Sequence, residues 1–193
     1  MNTTRQRIIE TTSALMERQG YHATGLNQIV AESAAPRGSL YYYFPEGKEE
    51  LTAEAVRFKA LQLSNYMRSQ LEQYVDPIEA IYRFLLSVAD HLEDEQCGCG
   101  APLAAIALET AASSERLRQA CEGAYQLTQA PMAEKLYAGG IPIQRAQALA
   151  VTISAALEGA VILSRAERSV RTLRLMAEEV RAWLACAVAA SNE

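Results

Sequence analysis

Apolar positions recur along this chain at helical spacing, first in short bursts and then in long ones. Ile8, Ile9, Thr12, Leu15 and Met16 make the buried stripe of a helix that Thr3 or Thr4 caps and Gly20 ends. Leu26, Ile29 and Val30 share one face of a second, shorter helix, and a third runs from about Arg37 with Leu40 and Phe44 inward. None of the three is long enough to be stable alone, so each needs the other two.

After Gly47 the bursts lengthen. Lys48 to about Tyr74 reads as one helix, with Leu51, Ala55, Phe58, Met67 and Leu71 inward. Asp76-Pro77 is an N-cap followed by proline at the first helical position, and Ile78, Ile81, Phe84, Leu85, Val88 and Leu92 follow at three and four. The glycine-broken stretch Cys97-Gly98-Cys99-Gly100 interrupts the pattern, and Pro102 opens a short apolar helix. Ser113 or Ser114 caps the next helix, which reaches about Tyr137 before Ala138-Gly139-Gly140. Two final helices run from about Pro142 to Arg165 and from Ser169 to Ala190. The pattern predicts an all-α protein of about nine helices with no strand. A three-helix N-terminal domain covers residues 1–47, and a helical domain covers 48–193.

The last two helices are apolar around most of their circumference. Leu149, Ile153, Leu157 and Val161 recur on the first, and Leu173, Val180 and Leu184 on the second. Helices of that kind are buried on more than one side, so these seven residues are expected to form the seam of a homodimer. The stretch from Ala146 to Leu163 contains Gln147, Thr152, Ser154 and Glu158, and is shorter than the ~20 apolar residues of a membrane span. The polar start of the chain leads into a helix rather than an apolar signal core. A cytoplasmic protein with no membrane partner is expected.

Composition agrees with helix throughout: half of the 193 residues are hydrophobic, and glycine and proline are few. The net charge of −5 speaks against a nucleic-acid binder, but it is unevenly spread. Residues 1–59 carry seven Lys/Arg against seven Asp/Glu, and residues 60–193 eleven against sixteen. Within the neutral part, positions 37–43 hold an arginine, a glycine, a serine and three tyrosines with no acid. A short helix, a tight turn and a second short helix with such a face match the geometry of a helix-turn-helix in a DNA major groove. Arg37 suits a bidentate grip on guanine, and the hydroxyls of Ser39, Tyr41 and Tyr42 suit phosphate oxygens. Gly38 lets another backbone come close. Thr24 can cap the second helix or donate to a phosphate. Lys48 adds charge to a helix N-terminus already attractive to phosphate.

Other chemistry finds little support. Cys97, Cys99, Cys121 and His91 lack the paired spacing of a zinc site, and no Lys or Arg stands near the Cys-x-Cys thiols to activate them. There are two histidines, His22 and His91, and no phosphate-cradling glycine loop or nucleophile elbow. Neither an enzyme nor a metal or cofactor site is expected.

The stretch TGLNQIVAESAAPRGSLYYYFPEGKEEL resembles the N-terminal domain of the TetR/AcrR family of transcriptional regulators, matching its pattern at Thr24, Ile29, Gly38, Leu40, Tyr41, Phe44, Lys48, Glu49 and Leu51. Pro36-Arg37-Gly38-Ser39-Leu40-Tyr41, and later Gly98 to Leu103 with Ala107-Leu108-Glu109, are similar to its LmrA-like branch. Two positions depart from the pattern: Ala34 replaces the turn glycine and Val30 the usual small alanine. The resemblance implies a homodimeric regulator that contacts a double-stranded DNA operator through Thr24, Arg37, Gly38, Ser39, Tyr41, Tyr42 and Lys48. It also implies a small hydrophobic effector, such as a flavonoid or an antibiotic, that relieves repression. Tyr66, Met67, Phe84, Val88, Ile106, Tyr125 and Met132 are the candidates for its pocket. The competing reading is a helical adaptor whose N-terminal domain binds protein instead of DNA.

Overall fold

The computed structural model describes residues 3–94 and 102–189. Among these residues there are nine helices and no strand: α1 Thr4–Ala23, α2 Leu26–Glu32, α3 Ser39–Tyr43, α4 Lys48–Leu71, α5 Pro77–Asp94, α6 Pro102–Thr110, α7 Glu115–Ala138, α8 Ile143–Glu167 and α9 Arg171–Ala189. The glycine-broken Cys97–Gly100 stretch lies outside the described residues.

Side-chain caps set several of these boundaries. The Thr3 hydroxyl accepts from the Gln6 amide, the Asp76 carboxylate from the Ile78 amide and the Ser114 hydroxyl from the Leu117 amide. Each satisfies one amide left without a partner in a first helical turn. Gly20 interrupts α1 with φ 79° and ψ 177°, a backbone region that only glycine enters readily. Pro131 lies inside α7, where it forgoes one backbone hydrogen bond without ending the helix. At the end of α8, Arg168 takes a left-handed conformation so that Ser169 can donate back to the Ser164 carbonyl.

The chain forms two compact units, residues 1–62 with 100–125 and residues 63–99 with 126–193. The first holds α1, α2, α3, α6 and the first parts of α4 and α7. Its core gathers Ile8, Ile9, Leu15, Ile29, Leu40, Phe44, Leu51 and Ala55, with Leu26, Val30, Tyr43 and Phe58 packed against them. Val30 therefore puts its extra bulk into this core. The second unit packs α5 and α8 on α9. Met67, Ile81, Phe84, Leu85, Met132 and Leu136 are central there, and Trp183 lies along the edge with Arg145 over its ring.

At the α2–α3 connection, the alanine that stands in place of the turn glycine takes up a left-handed conformation. Ser33 is the C-cap of α2, and Ala34 follows with φ 50° while the Ala35 amide returns to the Val30 carbonyl at 3.4 Å. This is the helix ending that favours glycine, adopted here by a residue whose Cβ crowds the following carbonyl. Ala34→Gly is expected to stabilise the chain by about 1 kcal/mol, the strain relief exceeding the added unfolded-state entropy. A rise in the urea midpoint at unchanged slope would show it; a fall would mean the turn holds no strain.

Candidate nucleic-acid interface

The recognition face begins with a turn. The Ser39 amide donates to the Pro36 carbonyl at 2.9 Å, which leaves Arg37 and Gly38 in the turn and starts α3 at Ser39 rather than at Arg37. Burial of Leu40 and Phe44 in the core then fixes the roll of this short helix. Tyr41 and Tyr42 are turned outward at 63% and 79% exposure, and Tyr42 meets the half-buried Tyr43 edge to face. Arg37 is exposed and, among the described residues, makes no ion pair. Ser39 is half-buried.

Gly38 has no conformational need to be glycine. Its φ is −77°, and a Cβ built there would meet nothing within 4 Å. The protein itself offers no reason for the missing side chain.

Carboxylates around this face are tied back to other groups. Glu32 pairs with Arg18 at 3.1 Å, Glu17 with Lys59 at 2.9 Å and Glu54 with Arg5 at 3.1 Å. Glu46 pairs with Arg116, and Glu49 accepts from Ser114 at 2.9 Å. Such surface pairs add little stability. Their consequence is electrostatic, because Glu17, Glu32, Glu46 and Glu54 are paired with cations while Arg37 is paired with no acid among the described residues.

Two expected contact residues are engaged elsewhere. Thr24 is fully buried and its hydroxyl donates to the Gly20 carbonyl at 2.7 Å. It does not cap α2, whose N-cap is Gly25 with no side-chain hydrogen bond. The Lys48 ammonium donates to the Tyr21 carbonyl at 2.7 Å and stands 4.2 Å from the Tyr21 ring centroid. Desolvation lowers the Lys48 pKa, and the nearby Glu109 partly offsets it. A lysine so held is a pin inside the unit in this conformation.

The comparisons with known proteins decide what this helix-turn-helix belongs to. Residues 8–55 match the model of the bacterial regulatory proteins, tetR family, and residues 77–179 match the C-terminal domain of LmrA/YxaF-like transcriptional regulators. The chain belongs to the TetR family. It is 39% identical to the HTH-type transcriptional regulator YxaF of Bacillus subtilis, over 91% of this chain and 92% of that protein. With the HTH-type transcriptional regulator LmrA of the same species it shares 38% identity over 83% and 85% of the two chains. Among solved structures, reduced NemR of E. coli superposes with a TM-score of 0.80 at 21% identity, covering 92% of this chain and 94% of that one. This TetR-family chain is thus a DNA-binding transcriptional regulator, not an enzyme.

The structure also locates the other residues named from sequence. Met67, Phe84 and Met132 share the core of the second unit, with Val88 packed against it. Tyr66 is turned out at 48% exposure and does not join them. Ile106 and Tyr125 belong to the first unit, the former buried and the latter half-buried. Cys121 is buried, which pushes its thiol pKa up, the opposite of an activated thiol. No group of three or more metal-ligating side chains exists among the described residues; Cys97 and Cys99 lie outside them.

The expected dimer stripe needs correcting. Leu149, Ile153, Leu173, Val180 and Leu184 are buried in the protomer's own core, with Leu157 and Val161 half-buried against it. The large apolar residues left exposed are Ile143, Val151, Ile162 and Leu163 on α8 and Leu175 on α9. On a helix apolar all round, spacing cannot say which stripe the chain keeps for itself. Ile153→Ala should therefore cost about 2–5 kcal/mol as a core cavity, at any protein concentration. A penalty that vanished on dilution into monomers would return Ile153 to the interface.

Proposed function

We propose that this regulator is a homodimeric cytoplasmic repressor that leaves a palindromic operator when a small hydrophobic effector binds. Residues 1–47 carry the DNA contacts, and residues 48–193 supply the effector-binding and dimerisation functions. The observation that carries the reading is an acid-free, outward-facing group: Arg37 in the turn before α3, and Tyr41 and Tyr42 on that short helix, whose roll is fixed by Leu40 and Phe44. In this reading Arg37 reads a base edge, and Ser39, Tyr41 and Tyr42 meet phosphates or a thymine methyl. The empty space beside Gly38 admits the DNA backbone. Thr24 holds the turn before α2, and Lys48 reaches a phosphate only by leaving the Tyr21 carbonyl.

The partner copy is proposed to cover Val151, Ile162, Leu163 and Leu175, an apolar face that a soluble protomer would otherwise expose. Two-fold pairing of this kind sets two recognition helices about 34–36 Å apart, or a multiple of that distance. A hydrophobic effector is proposed to insert beside Met67, Phe84, Val88 and Met132, where two flexible methionines allow the packing to re-form around it. Its leverage is its difference in affinity for the two states, ~1–3 kcal/mol in typical allosteric proteins.

Arg37→Ala and Tyr42→Ala should each abolish specific binding to the DNA upstream of the gene in a shift assay while leaving the dimer folded. Intact binding by both variants would remove α3 from the recognition role, and no salt-sensitive complex with the unaltered protein would favour a protein-binding adaptor. Gly38→Ala makes a sharper test. The added methyl meets nothing inside the protein, so folding is expected to be retained while operator affinity falls about tenfold or more, the scale of a good protein–DNA contact. Unchanged affinity would place the DNA backbone elsewhere.

A further inference from the structure

The interruption of α1 at Gly20 leaves a short turn, Tyr21 to Ala23, between the first helix and the helix-turn-helix. A break of that kind removes the regular acceptor of the amides that follow it. The His22 amide is satisfied from a distant part of the chain: it donates to Glu109 Oε2, on α6, at 2.8 Å. The other carboxylate oxygen of Glu109 lies 2.3 Å from where a Cβ on residue 20 would stand. Gly20 thus serves the site twice, by its positive φ and by leaving room for this carboxylate. On the other side of the turn, the Lys48 ammonium holds the Tyr21 carbonyl. Two consecutive residues, Tyr21 and His22, are gripped by a cation from α4 and an anion from α6.

The same region also reaches the far end of the helix-turn-helix. After α6, Ser114 donates to Glu49, in the first turn of α4, at 2.9 Å, and Arg116 pairs with Glu46, in the turn between α3 and α4. The corner from α6 into α7 therefore touches the chain just before α2 and just after α3. We propose that this corner is a two-point clamp that sets the seat of the helix-turn-helix, with Glu109 as the positioning residue for operator recognition. The inference rests on the DNA-binding reading above. Glu109 touches no DNA; it acts by fixing the turn from which α2 departs. The Arg116–Glu46 and Ser114–Glu49 contacts hold the opposite end, but the former is an exposed pair and screens readily. The bond from Glu109 joins a carboxylate acceptor to a backbone amide.

The test compares the full-length protein with Glu109→Ala and Glu109→Gln by amide hydrogen exchange at His22 and by operator and non-operator DNA affinity at one salt concentration. Glutamine keeps a carbonyl oxygen that accepts from the His22 amide, and alanine does not. Glu109→Ala is expected to lose protection at His22 and about tenfold or more in operator affinity, with non-operator binding unchanged; Glu109→Gln should restore both toward the unaltered protein. Operator affinity unchanged in Glu109→Ala despite a freed His22 amide would overturn the clamp, as would a Glu109→Gln variant no better than alanine. Should the unaltered protein bind no DNA, the DNA-binding reading fails. The exchange arm still decides the clamp: protection at His22 that survives in Glu109→Ala refutes it.

Discussion

Three short helices must bury one another before any of them can hold a side chain out to a partner. In this regulator that mutual burial centres on Leu40 and Phe44, which sit with Ile8, Ile9, Leu15, Ile29 and Leu51 in one apolar cluster. A helix as short as α3 has no stability of its own, so its two inward residues decide everything about its outward ones. Turning Leu40 and Phe44 in leaves Tyr41 and Tyr42 outside by the helical repeat alone. The recognition surface is the complement of a packing constraint, and its polar character follows from which residues the core did not take.

The charge pattern has the same logic. In this acidic chain several carboxylates near that surface have been drawn to particular partners. Arg5, Arg18, Lys59 and Arg116 each engage one acid of the first unit, and the Ser114 hydroxyl engages another. Each pair is worth little as a source of stability. Together they shape the local field, which is what an approaching polyanion meets. Net charge alone would have argued for the wrong class of partner.

What was legible in the sequence depended on whether a signal was local. Asp76 before Pro77, Ser114 and the glycines after Ala138 mark helix boundaries through their own backbone or side-chain chemistry, and helices do begin or end there, whereas Gly20 interrupts α1 without ending it. The strained Ala34 could be read for the same reason: a helix-turn-helix turn asks for a left-handed residue whatever surrounds it. Orientation was harder. α8 offers apolar residues around most of its circumference, so periodicity picked the stripe that became core and could not tell it from the exposed Val151, Ile162 and Leu163. Side-chain partners distant in sequence were invisible. Nothing near Lys48 announces the Tyr21 carbonyl, and nothing near Glu109 announces the His22 amide. The extent of the first unit was hidden likewise, because α6 joins it from far along the chain.

The position of the chain's one tryptophan divides the molecule optically. Trp183 lies against the core of the second unit, with Arg145 over its ring, while the first unit carries tyrosines alone among these two chromophores, three of them consecutive on α3. Indole emission therefore reports on the α5–α8–α9 packing, whereas phenol emission comes from both units, from five tyrosines in the first and four in the second. Exciting the indole alone follows the packing of the second unit without any label.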